Sequence, residues 1–329
     1  MSNQLQAVYP WLQNYWGPLS RYLKQDRLPS ALMLVGNEGL GVSSLAIAFA
    51  HRAVCSSSLD EPFACGLCEA CLLFKADNYP DFFHVIPEEG KTSIKIEPIR
   101  QLMSSLALSN QYTKPRIVVI DPADAMSHSA ANSLLKTLEE PSENTCLVLI
   151  VNQLSKVPAT IRSRCQLITV KGIELTEAKD WLVGLGCKEP EQYLSLANNA
   201  PLYAKELWQK EALKIRKLLL NNFIELLKGR LDPVLFAEKC ISLKGLPVLK
   251  WLMSWLSDAI KCAHGALDNQ LMNPDLRADL KVFIETLHLK GMHTLLEQLN
   301  YLTSLESNQV NQQLMLEEFA IQSYSLTRK

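Results

Sequence analysis

Short apolar runs alternate with helix-forming stretches through the first half of this 329-residue chain, and this alternation limits its possible folds more than any other feature. The runs that predict strands span residues 31–35, 82–86, 116–121, 146–151 and 165–170. The stretches that predict helices span residues 42–53, 96 to about 108, and 130–140. Strands that alternate with helices are typical of a parallel α/β sheet.

The rest of the chain has a different pattern. Beyond about residue 170, apolar residues recur at intervals of three and four, which indicates helices. The predicted helices span residues 175–185, 190–198, 201–208, 215–227, 246–263 and 292–305. We therefore expect an α/β domain over residues 1–170, a small helical domain over 171–209 and an all-helical domain over 210–329.

A glycine-rich segment, GNEGLGVS at 36–43, follows the first predicted strand and opens the first predicted helix. Its glycines and Ser43 have the spacing of a phosphate-binding loop, G-x-x-x-x-G-K-[ST], whose backbone N–H groups point at an anion. The glycines are Gly36, Gly39 and Gly41. Ser43 could hold magnesium, but Val42 occupies the lysine position and brings no positive charge. The alternative is an ordinary glycine turn before a helix.

Four of the nine cysteines are close together in the sequence, at Cys55, Cys65, Cys68 and Cys71. A chain without an apolar leader is expected in a reducing compartment, where clustered cysteines bind metal more often than they form disulfide bonds. Four thiolates suit a closed tetrahedral Zn²⁺ site, which would be structural and not catalytic. The alternative is a set of unrelated reduced thiols. The remaining cysteines are scattered: Cys146, Cys165, Cys187, Cys240 and Cys262.

The charge balance limits the possible partners. The formal net charge is −1, whereas a protein that binds a duplex by itself usually has a basic excess. Any contact with DNA is therefore expected to be local or shared with other proteins. We find no run of eighteen apolar residues and no leader, so we expect a cytoplasmic protein that does not span a membrane.

The segment 130–141, AANSLLKTLEEP, is the most specific in the chain. Pro141 ends the helix, because the residue before a proline avoids the α conformation. One helix face is apolar and consists of Ala131, Leu134, Leu135 and Leu138. The segment resembles the N-x-L-L-K-x-L-E-E-P motif of bacterial clamp-loader subunits in the AAA+ superfamily, and residues 163–165 resemble the Ser-Arg-Cys motif of the same family. The resemblance covers about residues 10–170.

The resemblance implies an AAA+ α/β fold with a helical lid, and an arginine finger at Arg164. In the family this arginine reaches ATP bound by the neighbouring subunit and completes that site in trans. The chain's own site looks vestigial, and we expect it to be empty of ATP. Pro122 stands where an AAA+ ATPase carries its catalytic glutamate, and the lid stretch 200–205 has Lys205 but no arginine. The remnant consists of Gly36, Gly39, Gly41, Ser43 and Asp121, the last at the end of a Walker B-like strand.

These departures favour a non-hydrolysing clamp-loader subunit similar to the delta-prime family, a component of the DNA polymerase III holoenzyme that supports ATP-dependent loading of the sliding clamp on primed DNA. The implied partners are ATPase subunits of the tau/gamma type and a delta-type subunit, with the clamp and primed DNA met through the complex. The helical C-terminal domain would form a collar that assembles the ring, and the family's zinc insertion has the same four cysteines. The main alternative is an active tau/gamma-like ATPase, but Val42 and Pro122 disfavour it. The other alternative is a zinc-dependent DNA-binding protein, but the balanced charge disfavours it.

Overall fold

The computed structural model describes residues 8–25, 27–58, 61–107, 114–305 and 312–327. Two sequence-based predictions fall on residues outside these ranges. They concern residues 1–7, where we expect no leader, and residue 108, where we expect a helix to end. The chain divides into two compact units, Met1–Lys205 and Glu206–Lys329. The division into three domains stays a prediction. In the described part of the chain, no helix combines the length and the apolar character needed to cross a membrane.

Five strands form one parallel sheet in the first unit. They are β1 (Ala31–Val35), β2 (Phe82–Val85), β3 (Arg116–Ile120), β4 (Thr145–Val151) and β5 (Gln166–Thr169). Their order across the sheet is β2-β3-β4-β1-β5, and every neighbouring pair is parallel. The parallel α/β sheet predicted from the sequence is therefore confirmed.

Helices lie before, between and after the strands of the first unit. They are α1 (Gln13–Lys24), α2 (Val42–Val54), α3 (Glu69–Lys75), α4 (Ile96–Leu106), α5 (His128–Glu139), α6 (Ala159–Arg162), α7 (Leu175–Gly184), α8 (Pro190–Leu196) and α9 (Pro201–Gln209), which begins in this unit. The sequence did not predict α1, whose buried residues Trp16, Leu19 and Leu23 share one face but are interrupted by Gly17 and Pro18. α5 begins two residues before its predicted start, because the Ser127 hydroxyl accepts a hydrogen bond from the Ala130 N–H and caps it.

Both faces of the sheet are buried. Leu32 and Leu34 of β1 belong to one apolar cluster, which includes Phe49 of α2, whereas Met33 belongs to a second cluster, which includes Leu134 of α5. Side chains alternate along a strand, so a continuous apolar run marks a strand that is covered on both faces. Because the strands are parallel, their carboxyl ends lie at one edge of the sheet, and the residues that follow β1, β3 and β4 meet there.

The second unit is helical, as the sequence predicted. Its helices are α10 (Ala212–Leu227), α11 (Pro233–Ser242), α12 (Val248–Ala263), α13 (Arg277–Thr286), α14 (Leu289–Leu305) and α15 (Gln312–Ser325). Phe223 of α10 packs against Phe236, Phe283 and Phe319, with ring centroids 5.3–5.8 Å away. The described residues of this unit form no strand.

Candidate functional site

The glycine-rich segment lies between β1 and α2, at the carboxyl edge of the sheet. Gly39 and Gly41 have φ angles of +82° and +84°, in the left-handed region that favours glycine. Gly41 is the N-cap of α2, which begins at Val42. The order of strand, glycine loop and helix predicted from the sequence is therefore present.

Other parts of the first unit pack directly on this loop. A Cβ atom added at Gly39 would lie 2.9 Å from Cβ of Tyr203, and one added at Gly41 would lie 2.7 Å from Cδ2 of Tyr9. The N–H of Leu202 donates to the carbonyl oxygen of Gly39 at 3.1 Å. Contacts from the segment before α1 and from the first turn of α9 thus hold the loop in its conformation.

A cavity of about 490 Å³ adjoins the loop. Val42 and Ser43 of α2 and Pro122 after β3 contribute to its lining, and its charged lining residues are Glu38 and Asp121. Among the described residues that line it, there is no lysine, arginine or histidine. A polyphosphate in this cavity would meet no cationic side chain of these lining residues to offset its charge.

Among the described residues, the Asp121 carboxylate has one ionisable partner, and it is distant. Its Oδ2 atom lies 4.0 Å from Nε2 of His84 on β2. Burial lowers the pKa of His84, and the negative charge of Asp121 opposes that shift only in part. The imidazole is therefore mostly neutral at pH 7 and does not neutralise the carboxylate.

Asp124 joins the ends of two strands, a role that no motif in the sequence indicates. It lies in the short 3-10 helix Ala123–Ala125 after β3. Its Oδ1 accepts from the N–H of Asn152 at 2.8 Å, and its Oδ2 accepts from the N–H of Gln153 at 3.2 Å. An aspartate soon after a strand is a common turn residue, which is the only signal that the sequence offers.

Replacing Asp124 with alanine should lower the free energy of unfolding by about 2 kcal/mol, since two backbone N–H groups lose a charged acceptor. Asp124→Asn keeps one oxygen acceptor and should cost about half as much. Urea denaturation of the two variants measures the difference. Equal stability of Asp124→Ala and the unaltered chain would contradict this role.

Arg164 lies in the turn between α6 and β5. Its Nη1 donates to the carbonyl oxygen of Thr160 at 2.9 Å and lies 3.5 Å from the hydroxyl of Ser163. Its Nη2 donates to Oε1 of Glu139, the last residue of α5, at 2.7 Å. The Arg164 side chain remains 35% exposed. The structure thus presents at the surface the arginine that the sequence singled out.

Lys205 does not point into the cavity. Its Nζ lies 5.9 Å from the centre of the Trp181 ring, which is within the range of a cation–π contact. Lys205 is also not among the residues that line the cavity. The one basic group of the lid stretch is therefore engaged elsewhere.

The four clustered cysteines come together where α2 ends and α3 begins. Cys55 follows α2, and Cys71 lies in α3. Their sulfur atoms all lie within 4.8 Å of one another, and Sγ of Cys55 is 3.6 Å from that of Cys65 and 4.0 Å from that of Cys68. A tetrahedral ion with bonds of about 2.3 Å to sulfur needs sulfur–sulfur distances of about 3.8 Å. The donor set fits such an ion.

Local hydrogen bonds favour the thiolate form at Cys55. Burial raises the pKa of this thiol, but bonds from the Ser57 hydroxyl and from the N–H groups of Cys65 and Ser57 outweigh burial and lower the pKa to about 6. At Cys71, by contrast, burial raises the pKa. Because the thiolate is the form that binds a metal, the lowered pKa of Cys55 favours its binding to a metal ion.

Several known proteins with similar sequences are delta' subunits of DNA polymerase III. A family model described as "DNA polymerase III, delta subunit" matches residues 12–174, and one described as its C terminal matches residues 210–323. DNA polymerase III subunit delta' of Haemophilus influenzae is 30% identical over 320 residues, which is 94% of this chain and 95% of that protein. The delta' subunit of Pseudomonas aeruginosa is 33% identical over 255 residues, which is 75% and 76% of the two chains.

Similarity to a tau/gamma subunit is more limited. The tau/gamma subunit of Haemophilus influenzae is 29% identical over 171 residues, which is 52% of this chain but 24% of that protein. Among solved structures, a gamma-subunit-related protein of Thermotoga maritima aligns over 95% of this chain and 99% of its own length, with 20% identity and a TM-score of 0.47. The observed parallel sheet, with its glycine loop after β1, and the helical C-terminal unit confirm the α/β domain and the all-helical C-terminal part of the fold predicted from the sequence. The chain belongs to the delta-prime family of DNA polymerase III subunits.

Proposed function

We propose that this chain is a non-hydrolysing subunit of a clamp loader, which supports ATP-dependent loading of a sliding clamp on primed DNA and lends Arg164 to a neighbouring ATPase subunit. One contrast carries the proposal. The cavity beside the glycine loop has carboxylates and no cation, whereas the guanidinium of Arg164 is exposed. A guanidinium is always charged and offers several donors in a fixed fork, which suits the charge that develops on a transferring phosphoryl group.

An active ATPase of the tau/gamma type is the second candidate. Its chemistry needs a cation on the β- and γ-phosphates and a group that orients the attacking water. At these positions the chain has Val42 and Pro122, and both line the cavity. Neither side chain has a charge or a hydrogen-bonding group, so the observations favour the non-hydrolysing subunit.

We further propose that Cys55, Cys65, Cys68 and Cys71 bind one Zn²⁺. The mutual distances of the four sulfur atoms support this proposal. When bound, the ion would cross-link the loop between α2 and α3, and four protein ligands leave no open position for catalysis. The role of the zinc is therefore structural.

The partners follow from the family. ATPase subunits of the tau/gamma type and a delta-type subunit would complete the ring, and the clamp and primed DNA would be reached through that complex in the cytoplasm. The second unit, with its all-helical architecture, would serve as the oligomerisation collar. The formal net charge of −1 agrees with contact to DNA that is shared among subunits.

The purified chain should neither bind nor hydrolyse ATP, and it should raise clamp loading when it is added to ATPase and delta-type subunits. A double variant, Val42→Lys with Pro122→Glu, should still fail to bind ATP at millimolar concentration. Glu38 would still bring a negative charge to the cavity lining, and Tyr9, Leu202 and Tyr203 would still hold the loop. Equilibrium titration with a fluorescent ATP analogue measures the affinity.

An intact tau/gamma subunit is the positive control for this titration. Micromolar binding by the unaltered chain, or ATP hydrolysis by the chain alone that is lost in Ser43→Ala, would contradict the proposal. Micromolar binding by the double variant alone would show that the two missing side chains, and not the surrounding charges and contacts, keep the site empty.

A further inference from the structure

Arg164 pairs with a residue of the other family motif. Glu139 belongs to the segment LLKTLEEP and is the last residue of α5, whereas Arg164 lies in the turn before β5. The Nη2 group of Arg164 donates to Oε1 of Glu139 at 2.7 Å. Two motifs that are separate in the sequence thus meet in one ion pair.

The stability of the fold does not explain a glutamate at this position. The carbonyl end of a helix carries the negative end of its dipole, so a carboxylate at the end of α5 is unfavourable for the helix. The side chains of Arg164 and Glu139 are 35% and 52% exposed, and ion pairs this accessible to water contribute little to stability. The role of Glu139 is therefore expected to be its effect on the position of the Arg164 side chain.

The contacts of Arg164 leave part of its guanidinium available. The group has five N–H donors. Nη1 is directed to the Thr160 carbonyl and the Ser163 hydroxyl, and Nη2 uses one donor on Glu139. Among the described residues, none accepts a hydrogen bond from the N–H of Nε or from the second N–H of Nη2. These two donors are available to an anion, whereas the other three N–H groups hold the side chain in place.

We infer that Glu139 is a positioning residue for Arg164. Together with the Thr160 carbonyl, it holds the guanidinium so that its two remaining donors are oriented before they meet the phosphate oxygens of a nucleotide bound by the neighbouring subunit. An oriented donor needs no reorganisation when the transition-state charge develops. This inference rests on the proposed function of Arg164.

The test uses the complete clamp loader reconstituted with variants of this chain. Glu139→Ala should lower kcat for ATP hydrolysis about tenfold with an unchanged KM for ATP, since a group that is poorly positioned stabilises the transition state less. Glu139→Gln keeps an oxygen acceptor for Nη2 and should retain most of the activity. Glu140→Ala is the matched control, because Glu140 is the adjacent exposed glutamate and should behave like the unaltered chain.

The outcomes separate this inference from the proposed function. A normal kcat for Glu139→Ala, in a loader that Arg164→Ala impairs, overturns the positioning role and leaves the finger in place. A higher kcat for Glu139→Ala also overturns it, because Glu139 would then compete with the nucleotide. Normal activity of Arg164→Ala overturns the finger and, with it, this inference. Equal Tm values for the Glu139 and Glu140 variants would show that the effect on kcat is not a loss of folding.

Discussion

Replacing Arg164 with alanine should lower the rate of ATP hydrolysis at the neighbouring subunit's site in the assembled clamp loader by about 10³-fold, the lower end of the range for arginine fingers. The physical reason is that the neighbouring nucleotide would lose a permanently charged group beside its transferring phosphoryl. The Arg164 side chain is 35% exposed and makes an accessible ion pair, so its removal should leave folding and assembly intact. Steady-state hydrolysis with clamp and primed DNA, together with size-exclusion chromatography of the complex, measures both effects.

Arg162→Ala is the matched control for this experiment. Arg162 ends α6 two positions before Arg164, is also exposed, and has the same charge. A purely electrostatic effect of this surface would reduce activity in both variants, whereas a finger would reduce it only in Arg164→Ala. Full activity of a loader with Arg164→Ala would contradict the proposal that Arg164 acts at the ATP site of the neighbouring subunit.

Replacing Cys68 with serine should lower the zinc content from near one ion per chain to near zero. It should also reduce the free energy of unfolding by about 3 kcal/mol or more, because a structural zinc site contributes on the order of 10 kcal/mol to the folding of small zinc modules. Mass spectrometry of metals and urea denaturation measure the two quantities. A chain that contains no zinc when it is purified intact would contradict the metal site.

The contacts of the cysteine loop explain why this loss would spread into the first unit. Arg52 of α2 is buried, and it donates to the carbonyl oxygens of Ser58 at 2.5 Å and Glu61 at 3.1 Å. Trp16 of α1 donates from Nε1 to the carbonyl oxygen of Pro62 at 3.0 Å. If the loop unfolds, a buried guanidinium loses its acceptors and apolar surface of α1 is exposed, both of which cost free energy.

Cys262→Ser separates loss of a metal ligand from loss of any thiol. Cys262 is partly exposed and lies in α12 of the second unit, outside the cluster. Its variant should keep both the zinc and the stability of the unaltered chain. In the unaltered chain, removal of the metal with a chelator should cause the same loss of stability as Cys68→Ser. In the Cys68→Ser variant, the chelator should cause no further loss.

The strands of the sheet could be predicted from the sequence, whereas some of the helices could not. Strands β1, β3 and β4 are buried on both faces, so each appears as a continuous apolar run. Helix α1 buries only one side and contains Gly17 and Pro18, two residues that normally interrupt helices. Its packing against α2 outweighs that local preference, and only the tertiary structure contains this packing.

By itself, the sequence determined which chemical groups this protein has and lacks. A valine cannot carry the charge of a lysine in any conformation, so Val42 brings no cation to the glycine loop whatever the fold. The spacing of the four cysteines is likewise local, and a short loop is enough to bring them together.

The tertiary structure decided which distant groups meet. The pairing of Arg164 with Glu139 spans 25 positions in the chain. The contact of Tyr203 with Gly39 is likewise between distant positions, and the meeting of Glu38 with Asp121 at one cavity requires the strands to be parallel. No local pattern encodes such contacts, because they depend on how helices and strands pack.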